Sequence, residues 1–182
     1  MSRNVSAHLF SAVNGVVEAP NTFQFDAFGP EEMELMGRAI SGATDVVLGR
    51  TLWQEWSEYW PSAAEGDPFA AFINPVRKHV ISSTLEGDPG WNSTVVGGEP
   101  VRYLQSLKDG DGGNILVAGG IETVRSLFLA GVVDTLTLTV HPAVGEGRRL
   151  FDETVPTTRL ELVDSAVTSA GNAVLTYRLR SS

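Results

Sequence analysis

The stretch NILVAGGIETVRSLF, from Asn114 to Phe128, carries the strongest local instruction in the chain. Ile115 to Ala118 is a short apolar run of the kind that forms a buried strand, and from Ile121 apolar residues recur at helical spacing as far as Ala130, where Gly131 stops them. Between the two stand Gly119 and Gly120. A strand that runs directly into a helix belongs to a parallel sheet, because the helix is the crossover that carries the chain back over one face. The glycine pair admits two readings. It lets strand and helix pack closely, or it leaves the backbone N–H groups of the helix N-terminus open to an anion such as a pyrophosphate.

Other segments repeat the pattern. Val5 to Val13 reads as a first strand closed by the Asn14-Gly15 turn, and the loop after it, Glu18 to Gly29, carries Phe23, Phe25 and Phe28. Pro30 with Glu31 and Glu32 marks a helix start, and the helix should reach about Ser41. TDVVLGR (Thr44 to Arg50) is a β-branched strand, followed by Leu52, Trp53, Trp56 and Trp60 at helical spacings. Lys78 to Ser83 gives another short strand, Pro61 to Pro68 and Glu86 to Asn92 read as loops, and EPVRYLQSLKD is a helix ended by GDGG.

Beyond Val133 the period changes. Thr135, Thr137 and Thr139 alternate with Leu136, Leu138 and Val140, and similar alternation in Arg159 to Val167 and Ala173 to Leu179 flanks the turn SAGN. The sequence therefore predicts an α/β fold in one domain spanning 1–182, with a mostly parallel central sheet, flanking helices and a C-terminal antiparallel hairpin.

Composition narrows the ligands. The 182 residues are 42% hydrophobic and 19% charged, which suits a single folded core. A net charge of −9 without any Lys/Arg run argues against nucleic acid or an anionic membrane as partner, so an anionic ligand must meet a local cationic pocket. There is no cysteine, and His8, His79 and His141 lack ligand spacing, so no metal site is expected. The first residues lack the apolar core of a signal peptide and no apolar run reaches the roughly 18 residues that span a bilayer, which predicts a cytoplasmic protein. In that setting the sequon at Asn92 is incidental.

Two more junctions resemble the glycine pair in kind. Gly49-Arg50-Thr51 ends one strand and Ser82-Ser83-Thr84 another, offering an arginine fork, a helix N-terminus and small hydroxyls, all suited to a phosphorylated ribose. With SAVNGVV after the first strand, VVLGRTLW, HVISSTL, the run from Asn114 to Phe151 and the final hairpin, the chain resembles the dihydrofolate reductase-like superfamily. Within it, the chain is similar to the C-terminal reductase domain of the bacterial riboflavin biosynthesis deaminase/reductase. The resemblance follows nearly the whole chain in order, and Asn114 to Phe151 is its most specific part.

This resemblance implies NADPH lying across the sheet. Gly49, Arg50 and Thr51, with Ser82 and Ser83, would hold the 2′-phosphate side. Gly119, Gly120, Ile121, Glu122 and Thr123 would cradle the pyrophosphate, with the Gly119–Gly120 peptide cis, and Ala12, Val16 and Val17 would flank the nicotinamide. It further implies hydride transfer to a C=N or C=O bond of a small heterocyclic or ribosylaminopyrimidine-like substrate, and a homodimer to which the strand Asp134 to Val140 contributes. GEGRRLF (Gly145 to Phe151) lacks the third glycine and following helix of a dinucleotide fingerprint and reads as a loop between strands.

The proton donor is not legible. Dihydrofolate reductases place a buried acid on the first helix, and their spacing from Gly49 falls near Met33 here, while Glu31, Glu32 and Glu34 read as solvated acids of a first helical turn. No catalytic residue is assigned, and water is the proposed proton source. Asp26, Phe28 and Glu31 are candidates for the substrate side, with Trp53 at the pocket's border. Two alternatives remain open: dihydrofolate or pterin reduction, and a nucleotide-binding homodimer that keeps the fold without catalysis.

Overall fold

The computed structural model describes residues 1–181. The elements in chain order are β1 (Val5–Ala12), α1 (Asn21–Gln24), α2 (Pro30–Ile40), β2 (Ala43–Gly49), α3 (Arg50–Tyr59), α4 (Pro68–Ile73), β3 (Arg77–Ile81), β4 (Ser93–Val96), α5 (Pro100–Asp109), β5 (Asn114–Gly119), α6 (Ile121–Leu129), β6 (Thr135–His141), β7 (Leu160–Val167) and β8 (Ala173–Leu179). One eight-stranded sheet has the order β4-β3-β2-β5-β1-β6-β8-β7. The strands from β4 through β6 pair in parallel, and β8 pairs antiparallel with both β6 and β7. The mostly parallel sheet and the C-terminal hairpin predicted from periodicity are both present.

The parallel strands are apolar on both faces because helices cover both. Val5, Ala7, Val47, Ile115 and Val117 pack with Leu104 of α5 and Val124, Leu127 and Phe128 of α6, whereas Val46, Leu48, Val80 and Leu116 pack with Trp53 of α3 and Ile73 of α4. The tryptophans are core on that second face, with Trp56, Trp60 and Phe69 as further packing partners. A smaller cluster of Ala12, Val16 and Phe23 closes the end of β1, with Phe10 against it. Of the three loop phenylalanines, Phe23 is thus buried, while Phe25 is 78% exposed.

Three features depart from expectation. Strand β4 and the short helices α1 and α4 fall in segments that the periodicity left unassigned or read as loop; β4 has only four residues and α4 is fixed by Asp67, whose carboxylate accepts the N–H groups of Phe69 and Ala70. Strand β6 lies inside the sheet between β1 and β8, so the outer edge falls to β7, where every residue after Leu160 is exposed or nearly so. Glu32, read as a solvated acid, is 1% exposed. Its carboxylate accepts the N–H of Gly29 at 2.8 Å, which is one half of a capping box, and the side-chain amide of Asn172 at 2.8 Å. That partner stands in the β7–β8 turn, 140 residues away, where no local rule can find it.

Polar residues at the amino ends of the strands satisfy one another. The fully buried Asp45 accepts from Arg3, from Thr44 at 2.8 Å, from Arg77 at 2.9 Å and from His79 at 2.8 Å, and the other His79 nitrogen meets Tyr103 Oη at 2.8 Å. Burial alone would push the Asp45 carboxyl up, but the hydrogen bonds from His79, Arg3 and Thr44 outweigh it and hold the group down at about 2.

Candidate active site

At the opposite, carboxyl ends of the parallel strands the polar groups are left open. Strands β2 and β5 are neighbours, so the helices that follow them, α3 and α6, start side by side. Among the described residues neither helix has a side-chain cap at its N-terminus, which leaves their first N–H groups at the cleft without a capping side chain. The close approach depends on glycine: a Cβ on Gly49 would stand 2.8 Å from Thr123 Oγ1 and 3.2 Å from the Gly120 nitrogen.

The glycine pair divides its duties. Gly119 has φ +152°, and a Cβ there would strike Leu52 Cδ2 at 2.7 Å, so this position serves the packing of β5 against α3. A Cβ on Gly120 would meet nothing within 4 Å; it would project into open space at the mouth of α6. The packing reading holds for Gly119, which does not line the cleft, while Gly120 leaves the mouth of α6 open. The peptide between them is cis.

A cavity of about 550 Å³ lies over these termini, lined by Gly49, Arg50 and Thr51, by Ser82 and Ser83, and by Gly120, Ile121, Glu122 and Thr123. The three junctions picked out by sequence therefore meet at one place. Arg50 is exposed, its guanidinium donating to Thr84 Oγ1 at 3.1 Å, and among the described residues it has no carboxylate partner. Ser82 Oγ accepts from the N–H groups of Thr84 and Leu85 at 3.2 and 3.0 Å, which shapes the loop after β3. Adjoining this cavity is a second of about 480 Å³, which shares Ile121, Glu122 and Arg148 with the first and adds Asn14, Val16, Arg125 and Arg149.

Sequence reasoning missed part of this lining. The loop Gly145 to Phe151 is a loop, as read, yet its Arg148 faces both cavities, held by Glu18 Oε1 at 2.9 Å. Gly97 and Gly98, ahead of α5, and Pro100, its first residue, also line the first cavity, and nothing local marked them. Among the nicotinamide candidates Val16 lines the second cavity, whereas Ala12 and Val17 are buried beside it in the core. Trp53 is 8% exposed and donates to Ser93 Oγ at 3.0 Å; it supports α3 from below and does not line either cavity.

The residues expected on the substrate side, Asp26, Phe28 and Glu31, line neither cavity; Phe28 stacks edge-on against Phe10 with ring centroids 5.8 Å apart. Asp26 is exposed in the same loop, and Glu31 is tied to the hairpin turn through the N–H of Ser169 at 3.1 Å and its hydroxyl at 2.6 Å. His8 Nε2 meets Thr139 Oγ1 at 2.8 Å, and burial pushes the imidazole down to about 4. His141, fully buried between Phe10 and Phe23, has no hydrogen-bond partner on either nitrogen among the described residues. Burial would raise the Glu32 carboxyl, but hydrogen bonds from Thr168, Asn172 and Gly29 prevail and hold it at about 2. Among the described residues no group of three His, Asp or Glu side chains is arranged for a metal ion, and no helix is long and apolar enough to cross a membrane.

This topology, with a cleft across the carboxyl ends of β2, β3 and β5, is that of the dihydrofolate reductase-like class. More narrowly, residues 3–174 match the RibD C-terminal domain, and the chain belongs to that family. A Shewanella sp. PV-4 protein assigned provisionally to riboflavin biosynthesis superposes with a TM-score of 0.76 at 17% identity, over 100% of both chains. The Thermotoga maritima diaminohydroxyphosphoribosylaminopyrimidine deaminase/5-amino-6-(5-phosphoribosylamino)uracil reductase gives 0.67 at 15% identity, over 98% of this chain and 57% of that one. Dihydrofolate reductase from Enterococcus faecalis, in complex with NADP(H), gives 0.63 at 15% identity over 100% of both chains. At these identities the likeness is one of fold.

Proposed function

We propose that the protein is an NADPH-dependent reductase acting on a C=N or C=O bond of a small heterocyclic, ribosylaminopyrimidine-like acceptor. The observation that carries this reading is the convergence of two helix N-termini without side-chain caps, Arg50 without a carboxylate partner among the described residues, and the Ser82-Ser83 hydroxyls on one cavity. Those groups fit a dinucleotide. Arg50 and Thr51 with Ser82 and Ser83 would hold the 2′-phosphate, and the N–H groups of Ile121, Glu122 and Thr123 would hold the pyrophosphate, which Gly120 admits because it has no Cβ. The complex of the Enterococcus enzyme with NADP(H) and the uracil reductase in the name of the Thermotoga protein support the same choice of cofactor and acceptor.

When bound, NADPH would supply a hydride to a carbon of the acceptor, whose nitrogen or oxygen would also need a proton. Glu32 is a poor proton donor, since both carboxylate oxygens accept hydrogen bonds and the group stays ionised at neutral pH. In this reading water is the proton source and the chain's work is orientation, with the edge-packed Phe10 and Phe28 near the end of β1 as the aromatic groups offered to a planar ring. The same reading includes a cytoplasmic homodimer; β6, expected to contribute to it, is interior to the sheet, and the exposed Leu162, Val163 and Val167 lie on the edge strand β7. Thermal unfolding with saturating NADPH and, separately, NADH tests the cofactor. Ligand at 100 times its Kd adds about 2.7 kcal/mol, or about 5–10 °C in Tm for a domain of this size. A shift with NADPH is expected, and no shift with either nucleotide refutes the reading.

A further inference from the structure

Ile121 and Glu122, in the first turn of α6, border both cavities, and so does Arg148. Together they mark the passage between the cavities, so a ligand that fills both must run between the mouth of α6 and Arg148. In the cofactor reading the part of NADPH that crosses there is the diphosphate, since the 2′-phosphate belongs at Arg50 in the first cavity and the nicotinamide beside Val16 in the second.

Charge at this passage does not balance without Arg148. Each phosphate of a dinucleotide is negative, and Glu122 places a further negative charge in the first turn of the helix that would receive them. That acid complements the helix dipole and so offsets part of its attraction for an anion. The other arginines of the lining do not make up the difference. Arg50 lines the first cavity alone, and Arg125 and Arg149 line only the second. Arg125 is moreover committed to Asp152 and to the Arg149 carbonyl, both at 2.9 Å.

Arg148 is held ready for such a contact. Its carbonyl accepts from Val17 N–H at 3.0 Å and its own N–H donates to Glu18 Oε2 at 2.9 Å, so the backbone is fixed on both sides. The side chain donates through Nε to Glu18 Oε1 at 2.9 Å, and among the described residues its two Nη atoms have no hydrogen-bond partner. It is 63% exposed, whereas Glu18 lines neither cavity. The carboxylate therefore orients the guanidinium while leaving most of its donors open to a ligand.

We infer that Arg148 is the cationic half of the diphosphate grip, opposite the N–H groups of α6, and that Glu18 positions it without touching the cofactor. The inference rests on the cofactor reading and adds a residue to it. Unlike Arg50, Arg148 does not distinguish NADPH from NADH, because both carry the diphosphate.

Calorimetric titration of the full chain with NADPH and with NADH, at several salt concentrations, tests it. Arg148→Ala is expected to weaken both nucleotides by the same factor, about tenfold or more, and to flatten the dependence of affinity on salt. Arg148→Lys keeps the charge and is expected to recover part of the loss. Glu18→Gln separates contact from support: it removes the competing charge, keeps an oxygen for Nε, and is expected to bind both nucleotides at least as tightly as the wild type. The ion pair is exposed, so without ligand each variant should melt within about 2 °C of the wild type. Unchanged affinity in Arg148→Ala, a loss confined to NADPH, or a comparable loss in Glu18→Gln overturns the inference and leaves the cofactor reading standing. Wild-type protein that binds neither nucleotide overturns both.

Discussion

Replacing Arg50 by alanine isolates the contribution of one guanidinium to cofactor choice. In the free protein the side chain is exposed and makes a single 3.1 Å bond to the Thr84 hydroxyl, so its loss should change Tm by no more than about 1–2 °C. Its worth should appear only with ligand. A hydrogen bond to a charged group contributes about 1.5–3 kcal/mol, which predicts about a 10- to 150-fold rise in the Kd for NADPH. NADH lacks the 2′-phosphate and should lose less than about threefold. Arg50→Lys keeps the charge without the fork and should fall between the two. The assay is calorimetric titration of both nucleotides at several salt concentrations; the variant's NADPH affinity should also depend less on salt. Equal losses for NADPH and NADH would refute the assignment of Arg50 to the 2′-phosphate, and no loss for either would remove it from the cofactor site.

The two glycines that face each other across the cleft should respond differently. Gly49→Ala forces a Cβ to 2.8 Å from Thr123 Oγ1 and should cost about 1–3 kcal/mol by denaturant titration, whereas Gly120→Ala, with open space before it, should keep most of the stability while weakening NADPH binding. Asp45→Asn leaves Arg3 and its neighbours without their anion and should cost about 3–5 kcal/mol, seen as a Tm lower by about 10 °C. Asn172→Ala removes the amide that reaches both Glu32 and the Ala27 carbonyl, and should cost about 1–3 kcal/mol. The wild type should also show an acid transition. The carboxyls of Asp45 and Glu32 are depressed from 3.8 and 4.5 to about 2, so the stability they contribute is full above about pH 4.5 and is lost as pH falls towards 2. Thermal melts between pH 2 and 6 would read this window, and a Tm independent of pH there would show that neither carboxylate is paired.

What could be read from sequence was what local chemistry encodes. Strand β5 and helix α6 were legible because burial and helical spacing lie within one short segment, and Gly49-Arg50-Thr51 because the turn, the cation and the hydroxyl are consecutive. Strand β4 was not, since its four residues pair only along β3 and carry too short a pattern. The burial of Glu32 was illegible for a different reason. An acid at the third position of a helix is a capping residue by every local rule, and it performs that task through Gly29; only the returning hairpin makes it buried as well. Arg148 was passed over because its loop has no regular pattern, and it reaches the cleft through the fold of β6 back beside β1.

The two ends of the sheet show why unsatisfied bonding capacity, more than polarity, distinguishes this site. At the amino ends, Asp45 gathers four donors and Lys108 meets Asp134, so the polar groups neutralise one another and little remains to attract a ligand. At the carboxyl ends, among the described residues, Arg50 keeps only a hydroxyl partner and two helices begin without side-chain caps. Leaving those groups unmatched forgoes stability that a capping Ser or Asp would supply, about 1 kcal/mol for each helix. Donors so placed are already oriented before any anion arrives, so binding loses little to rearrangement. The same reasoning explains why one conspicuous group is silent. Glu32 is the buried acid that a search for a proton donor would select, yet Gly29 and Asn172 occupy its oxygens, and a satisfied carboxylate holds a loop in place rather than giving up a proton.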